Sequence, residues 1–226
     1  MSNPEIENFY ANFHCQIYGT GIVGWYWKRI YSNMRSRLRI DKSSKVLELG
    51  AGAGQFYNYI NPDSALYIET DLRKSNEYKV SINPEDLKLE GKVKRIANAE
   101  DLSAFTENSL DVILATCVLA HLPNPEKALK EARRVVRIGG QIVFYIPCEP
   151  GFFLRLIRYF TTRLKFRKYG IRQSDLHWME HRNHFLYLQF LTKRIFLNDS
   201  LEIQKFPIPG LSWNFSLYSL VSIKKL

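Results

Sequence analysis

The sequence predicts an α/β fold, a three-layer sandwich built around a mostly parallel sheet. Short apolar runs with the length and composition of buried strands occur at 45–49, 65–71, 92–96, 109–115 and 141–146. Helical patterns alternate with these runs, most clearly at 126–136, where apolar residues recur every three or four positions. Such alternation is typical of strands joined by crossover helices, which place the strands parallel to one another.

Length and composition are those of one globular domain. The chain has 226 residues, of which 46% are hydrophobic, enough for a full core in a single domain spanning 1–226. Cys15, Cys117 and Cys148 form no CxxC pair and are odd in number, so the sequence indicates neither a disulfide framework nor a zinc site. We therefore expect a reducing, cytoplasmic setting. The N-terminus lacks the pattern of a secretory signal, and no apolar run approaches the ~20 residues that span a bilayer.

The net charge of +10 is distributed unevenly along the chain. Residues 46–150 carry 12 basic and 15 acidic residues, whereas residues 151–226 carry 13 basic and 4 acidic residues. The basic surface is therefore expected on the flanks, where it would meet an anionic substrate, a membrane surface or nucleic acid.

An apolar run that ends in three alternate glycines marks the expected ligand site. The stretch 45–54 reads KVLELGAGAG, with glycines at 50, 52 and 54. Glycine accepts positive φ angles and lets a ligand lie directly on the main chain. Residues 55–60 can begin a helix, whose first N–H groups favour polar or anionic atoms. The dinucleotide fingerprint G-x-G-x-x-G is not met, because Gln55 and Tyr57 stand where its third glycine would be.

The pattern Glu48-x-Gly-x-Gly-x-Gly resembles motif I of the class I S-adenosylmethionine-dependent methyltransferases. Residues 129–140, LKEARRVVRIGG, are similar to the family's Leu-x-Glu-x-x-Arg-Val-Leu-x-Pro-Gly-Gly, with Ile138 in place of proline. We expect Gly139 and Gly140 to close the last turn of the preceding helix. The resemblance covers 45–147 and, less closely, 181–226. It implies a Rossmann-like, seven-stranded, mostly parallel sheet with an antiparallel final strand, and S-adenosyl-L-methionine as cofactor.

Cofactor contacts are expected where the first strands end. Asp71 lies 21 residues after Gly50, at the end of the second strand, where a carboxylate can accept hydrogen bonds from ribose hydroxyls. Glu69 is the competing acid. The resemblance places Asn98 where an acid accepts from the adenine amino group, and Ala99 as the backbone donor. The expected cofactor-binding residues are Glu48, Gly50, Ala51, Gly52, Gly54, Asp71, Leu72, Asn98, Ala99, Glu100 and Cys117.

Two histidines are candidate catalytic bases. His121 follows the fourth strand, and His181 begins a His-x-x-x-Phe segment that many family members carry before the helix after strand 5. A histidine's ordinary pKa, near ~6.5, suits proton removal from an acceptor hydroxyl. His14, Tyr18, His177 and His184 are expected to contact the substrate; a purely structural role for these side chains is the alternative. His177 and His181 are four residues apart, but the sequence is not HExxH, and we expect no metal.

The chain divides into four expected parts. Residues 1–44 form an N-terminal helical lid, 45–147 the cofactor-binding core, 148–184 a basic and aromatic substrate cover, and 185–226 the last helix and strands. No acid occurs in the stretch 151–172, which is rich in arginine, lysine and aromatic residues. This segment is expected to cover an anionic substrate, to contact a membrane peripherally, or to pack on the domain as a solvated basic helix.

The resemblance implies methyl transfer to a small-molecule or sugar acceptor with anionic character, at a hydroxyl or an amine. An RNA methyltransferase is an alternative, since basic and aromatic flanks suit single strands. Nucleic acid is not favoured, because the chain has no Asn-Pro-Pro-Tyr-type motif for base amines. A second alternative is a non-catalytic cofactor-binding or scaffold protein. The sequence does not decide the oligomeric state.

Overall fold

The computed structural model describes residues 19–60, 66–72, 78–168, 170 and 181–226. In this part of the chain the strands are β1 (Lys45–Leu49), β2 (Leu66–Asp71), β3 (Gly91–Ile96), β4 (Leu110–Ala115), β5 (Val136–Pro147), β6 (Ser200–Phe206) and β7 (Tyr218–Lys224). The α-helices are α1 (Gly21–Arg35), α2 (Pro125–Val135), α3 (Phe152–Phe160), α4 (Thr162–Lys168) and α5 (Phe185–Ile195). Short 3₁₀ segments occupy Gln55–Tyr59, Pro84–Lys88 and Trp213–Phe215.

The seven strands form one sheet in the order β3-β2-β1-β4-β5-β7-β6. β1 pairs in parallel with β2 on one side and with β4 on the other. β7 runs antiparallel to both of its neighbours, β5 and β6. The Rossmann-like, mostly parallel sheet is therefore confirmed. Strand order reverses between β1 and β4, and in open α/β sheets such a reversal opens a crevice at the carboxyl ends of the strands.

Each face of the sheet carries its own apolar core. On one face, α2 and α5 pack against alternate strand residues such as Leu47 and Ile113. On the other, Ile30 and Met34 of α1 pack against a set that includes Val46. Ile30 and Met34 are fully buried, and burial of each such side chain contributes roughly 1.5–3 kcal/mol. Side chains alternate between the two faces along each strand, so the helices on both faces pack against the same strands.

The segment after the glycine-rich loop differs from expectation. Residues 55–59 form a 3₁₀ segment, and Ile60 is already extended. Pro62 explains the early end, because it lacks an N–H and disfavours a helical residue before it. The predicted α-helix over 55–60, with its N-terminal site for anionic atoms, is therefore wrong.

The prediction that Gly139 and Gly140 close a helix is also wrong. Helix α2 begins after Asn124, whose Oδ1 accepts a hydrogen bond from the Lys127 N–H at 3.0 Å. It ends at Val135, and Val136 is extended, with φ −70° and ψ 137°. Val136 is fully buried and pairs with Leu110 of β4. Strand β5 therefore begins before the chain reaches the glycines. Gly139 keeps a positive φ of 77°, but within β5.

The basic segment after β5 forms two consecutive helices, α3 and α4, which pack on the domain through Leu154, Thr162 and Phe166. Among the described residues, none of the helices has both the length and the apolar character needed to cross a bilayer. The division of the chain into lid, core, cover and C-terminal part stays a prediction.

Candidate active site

The glycine-rich loop, residues 50–54, lies between the end of β2 and the residues that follow β4. We call the segment 116–122 the β4 exit. Gly50, Gly52 and Gly54 all have positive φ angles, of 64°, 56° and 66°. A Cβ on Gly50 would lie 2.6 Å from Cγ2 of Val118, and one on Gly54 would lie 2.6 Å from Oε2 of Glu69. Both positions therefore require glycine for conformation and for space, and the loop presents bare main chain at the crevice.

Asp71 lies beside this loop, at the end of β2. Its Oδ2 accepts a hydrogen bond from the Gly52 N–H at 3.0 Å, and the residue is buried. Glu69, the competing acid, is fully buried and makes an ion pair with Lys92 Nζ at 2.7 Å. Glu69 has no exposed surface and faces its lysine partner, whereas Asp71 lies at the strand end, so the geometry favours Asp71 as the sugar-binding acid.

Glu48 supports the loop from below. Its carboxyl group is fully buried, and it accepts hydrogen bonds from the Tyr67 hydroxyl at 2.6 Å and the Thr116 hydroxyl at 3.3 Å. Burial raises the pKa of Glu48 to about 8. The structure therefore places this side chain inside the protein, where it holds β1, β2 and β4 together. This differs from the expected direct contact with a cofactor.

The predicted adenine-binding residues form a tight turn after β3. Oδ1 of Asn98 accepts from the Glu100 N–H at 3.0 Å, so the side chain expected to face adenine holds its own turn. Oε1 of Glu100 accepts from the Asn124 N–H at 2.7 Å and fixes the start of α2. Ala99 is buried, whereas Leu72, next to Asp71, is 65% exposed and offers an apolar surface for a flat ring.

The exit of β4 carries a strained cysteine. Cys117 has a φ of 67°, a conformation that residues other than glycine seldom adopt and that costs on the order of 1 kcal/mol. Its Sγ lies 4.0 Å from Nε2 of His121, one turn further along the chain. Such strain is kept where the surrounding structure requires it and is frequent at functional sites.

His121 and His181 meet above this exit. Their rings are 4.5 Å apart between centroids and perpendicular to each other. Nδ1 of His181 lies 2.6 Å from Oε2 of Glu149, a buried residue two positions after β5. The other carboxylate oxygen of Glu149 pairs with the Arg158 guanidinium of α3. Residues from four separate parts of the chain thus form one connected polar cluster.

The two residues that follow His181, Arg182 and Asn183, hold this cluster against the β4 exit. The N–H groups of Arg182 and Asn183 both donate to the carbonyl of Ala120, at 2.8 and 3.1 Å. The Asn183 side-chain amide donates to the carbonyls of Leu119 and Leu122, at 3.0 and 2.7 Å. His184 is exposed and precedes α5 as its N-cap residue, outside the cluster.

Comparison with known proteins shows what this chain resembles. Residues 47–144 match the family model described as a methyltransferase domain. The structure of an S-adenosylmethionine-dependent methyltransferase from Archaeoglobus fulgidus superposes with a TM-score of 0.62 at 14% identity, over 96% of this chain and all of the other. Residues 47–144 therefore have the sequence pattern of a methyltransferase domain, and the fold is one that S-adenosylmethionine-dependent methyltransferases have.

Methyltransferases with different acceptors are among the relatives. A human thiol S-methyltransferase is 25% identical over 118 residues, which are 52% of this chain and 48% of the relative. A ubiquinone/menaquinone biosynthesis C-methyltransferase of Haemophilus ducreyi is 28% identical over 133 residues, 56% of this chain and 49% of the relative. The chain thus spans about half the length of the curated relatives it matches. A geranyl diphosphate C-methyltransferase from Streptomyces coelicolor superposes with a TM-score of 0.62 at 10% identity, over all of this chain and 86% of the other.

The residues at the crevice fit the methyltransferase cofactor, S-adenosyl-L-methionine. The bare main chain at Gly50 to Gly54 would accommodate its amino-acid part, and the Asp71 carboxylate would accept from its ribose diol. Leu72 and Ala99 would flank the adenine. We also expect Ala51, whose N–H donates to the Thr70 carbonyl at 2.8 Å, to hold the loop against β2. The cofactor supplies a methyl group activated by its positively charged sulfur.

Among the described residues, three side chains of types that can bind a metal lie close together. The ligand atoms of Cys117, His121 and His181 lie within 4.8 Å of one another. Zinc would need Zn–N and Zn–S distances of about 2.0–2.3 Å. In the present arrangement His181 and His121 serve instead as partners of Glu149 and Cys117.

Sequence reasoning missed two members of the candidate site. Glu149 and Arg158 were not singled out as site residues, although Glu149 follows the carboxyl end of β5 on the same sheet edge as Gly50 and Cys117. Position after a strand end could have indicated Glu149; nothing in the sequence pairs it with Arg158. The expected substrate residues His14, Tyr18 and His177 lie outside the described residues.

Proposed function

We propose that this methyltransferase acts on a hydroxyl group of a small-molecule or sugar acceptor with anionic character. The observation that carries the proposal is the Glu149–His181 pair beside His121, at the crevice edge next to the glycine-rich loop. A histidine held by a buried carboxylate is a common arrangement for removal of a proton from a nucleophile.

The contact with Glu149 is consistent with the tautomer of His181 that this proposal requires. With Glu149 as a carboxylate, which only accepts, Nδ1 of a neutral His181 carries the donated proton and Nε2 is the basic nitrogen. The His181 side chain is 13% exposed, which leaves it accessible from the crevice while most bulk water is excluded. Arg158 offsets the charge of the buried Glu149 and keeps the carboxylate in place.

In the proposed step, the acceptor hydroxyl gives its proton to Nε2 of His181. The bound cofactor would supply the methyl group that the acceptor oxygen takes, and its sulfur would keep the electron pair. Alignment of the acceptor by the protein can contribute roughly 7–11 kcal/mol. A well-placed base contributes a further rate factor of about 10² to 10⁴.

An anionic acceptor is supported by the charge around the cluster. Residues 151–226 carry 13 basic and 4 acidic residues, and Arg182 is exposed directly after His181. Phosphate and carboxylate groups match the planar donors of arginine.

A methyl-transfer screen tests the acceptor class. It compares hydroxylated sugars, nucleotide sugars, phenols, amines, thiols and lipid extracts, with the thiols included because thiol S-methyltransferases are among the relatives. We expect transfer to a hydroxylated, negatively charged compound. Transfer confined to thiols or neutral amines would refute the proposed acceptor, and salt-sensitive RNA retention together with RNA methylation would support the RNA alternative.

Two variants test the base. Glu149→Gln and His181→Gln should each lower kcat about 100-fold or more, while calorimetry finds S-adenosylmethionine affinity unchanged. Glu202→Gln, at an exposed position on β6, is the matched control and should retain full activity. Full activity of His181→Gln would remove this histidine from the mechanism. Calorimetry without any cofactor binding by the unmodified protein would instead support a non-catalytic scaffold.

A further inference from the structure

Helix α3 turns its apolar side outward. Phe152, Leu156, Tyr159 and Phe160 are exposed, Phe160 to 65%, whereas Leu154 is only 4% exposed. At 100° per residue, the four exposed side chains fall on one stripe of the helix. A surface helix of a soluble domain normally directs this stripe to the core. We call these four residues together with Leu164 of α4, which is 61% exposed, the outward face.

The other side of α3 is already used by the protein. Arg158 is half-buried and pairs with Glu149 in the candidate active site, and Leu154 packs into the domain. Within the outward face, Phe152 contacts the Phe215 ring at 6.4 Å between centroids. The exposure of the other apolar side chains needs a separate explanation.

Exposed positive charges flank the outward face. Arg155, Arg163, Arg167 and Lys168 are all exposed, and the sequence has no acid from 151 to 172. The Arg163 guanidinium lies 4.7 Å from the Tyr159 ring centroid, so cation and aromatic ring occupy the same surface. Apolar side chains among cations are typical of helices that lie in the headgroup region of an anionic bilayer.

The surface continues onto the start of α1. Lys165 Nζ donates to the Thr20 carbonyl at 2.7 Å and so connects α4 to the residues before α1. Ile22 and Trp25, in the first turns of α1, are 71% and 67% exposed. Tryptophan is enriched at membrane–water interfaces because its ring is amphipathic.

We propose that the outward face binds the surface of an anionic membrane, with α3 and α4 lying in the interface plane. Self-association through the same face is disfavoured, because it would bring the four exposed cations of two copies together. Single-stranded RNA is less favoured, because the aliphatic Leu156 and Leu164 among the aromatic side chains cannot stack on bases. The proposal goes beyond methyl transfer and does not depend on which acceptor is used.

Vesicle flotation tests the proposal on the full chain. Vesicles of phosphatidylcholine alone are compared with vesicles that also contain phosphatidylglycerol, at low and high salt. We expect the protein to float with the anionic vesicles, and less of it at high salt, because screening weakens attraction between surface charges.

Two variants and their controls separate the contributions of apolar and of charged side chains to vesicle binding. Phe160→Ser should lower vesicle partition about tenfold, as expected for loss of one inserted aromatic side chain. Arg163→Glu with Arg167→Glu should lower it by at least about tenfold on anionic vesicles only. The matched controls are Leu197→Ser and Lys193→Glu, at exposed positions at and just after the end of α5, which should partition like the unmodified protein. Thermal unfolding and cofactor calorimetry show that each variant is folded.

Several outcomes would overturn the proposal. One is absence of flotation of the unmodified protein; another is flotation that the controls reduce as much as Phe160→Ser does. A concentration-dependent dimer, seen by sedimentation velocity and abolished by Phe160→Ser, without flotation, would identify a self-association surface. RNA retention lost in the same variants, again without flotation, would identify an RNA surface.

Discussion

Asp71 is the residue on which cofactor binding should depend most. Its Oδ2 holds the Gly52 N–H, so the carboxylate links the sugar site to the loop. Asp71→Asn removes the charge and should weaken S-adenosylmethionine binding about tenfold to a hundredfold, since a charged hydrogen bond contributes roughly 1.5–3 kcal/mol. Calorimetry measures the change, and the exposed Glu90→Gln serves as control. Unchanged affinity in Asp71→Asn would refute this assignment.

Glu48 should make stability depend on pH. Its pKa is raised from 4.5 in the unfolded chain to about 8 in the native protein, chiefly by burial. Between these values the native state binds a proton that the unfolded state has lost, so stability falls as pH rises through this range. The effect has an upper limit of a few kcal/mol, at ~1.4 kcal/mol per pKa unit.

The variant Glu48→Gln isolates this contribution. Because the amide does not ionise, its urea midpoint should fall less than that of the unmodified protein as pH rises from 4.5 towards 8. The two pH profiles are compared as a difference, because other groups titrate over the same range. Parallel profiles would show that Glu48 is ionised in the native protein.

The histidine and cysteine cluster should work without a metal. Each histidine already has a hydrogen-bonding or ring partner within the cluster. We expect dialysis against a chelator to leave methyl transfer unchanged and metal analysis to find no zinc bound in a one-to-one ratio. Loss of activity restored by added zinc would assign Cys117, His121 and His181 as ligands.

Sequence motifs predict residues whose role depends on local backbone conformation. They predict less well the residues that act through tertiary contacts. The glycine-rich loop and Asp71 can be predicted from the sequence, because alternate glycines and an acid about 20 residues later are typical of strands that end at a ligand site. Glu149 could not be paired with His181 or Arg158 in advance, since 32 and 9 residues separate these partners in the chain and only tertiary packing brings them together.

At the scale of elements, Lys225 joins the end of α2 to the sheet. Its Nζ donates to the carbonyls of Arg133 and Val136 and to the Asn108 side chain, at 2.7–2.9 Å. Lys225→Met should lower the free energy of unfolding by about 2–4 kcal/mol, because it removes these bonds and leaves buried carbonyls unsatisfied. Chemical denaturation measures the loss.

The neighbouring Lys224 provides the control. It is exposed, so Lys224→Met should change stability by less than about 0.5 kcal/mol. Equal losses in the two variants would show that chain-terminal charge, not the bonding of Lys225, stabilises this corner.

Element ends show where sequence patterns fail. The existence of α2 and β5 follows from their apolar periodicity. The helical pattern over 126–136 agrees with the end of α2 at Val135. The glycines do not close the helix, because burial of Val136 and its pairing with Leu110 end it first. Tertiary packing outweighs local glycine chemistry at this position.

At the scale of the whole molecule, cofactor binding should stabilise the fold. A ligand at a hundred times its Kd adds about 2.7 kcal/mol, which for a domain of this size raises Tm by about 5–10 °C. S-adenosylhomocysteine should produce this shift, and Asp71→Asn should require more ligand for the same shift. Absence of any shift at saturating concentrations would contradict cofactor binding at this site.

The architecture was predictable because alternating strands and helices permit few connected folds. The seven strands, the mostly parallel sheet and the antiparallel β7 agree with the family resemblance. The orientation of α3 was not predictable, since its sequence allows the apolar stripe to face either the domain or the surroundings. Only the packing of Leu154 and the Arg158–Glu149 pair decide it.

The attachment of Arg182 and Asn183 to the β4 exit has a mechanical consequence. Four hydrogen bonds to the carbonyls of Leu119, Ala120 and Leu122 connect the two segments that carry His121 and His181. The two backbone segments should therefore move together, and a bulkier guest between the imidazoles would require their side chains to rotate. We expect selection among acceptors by size to depend on that rotation.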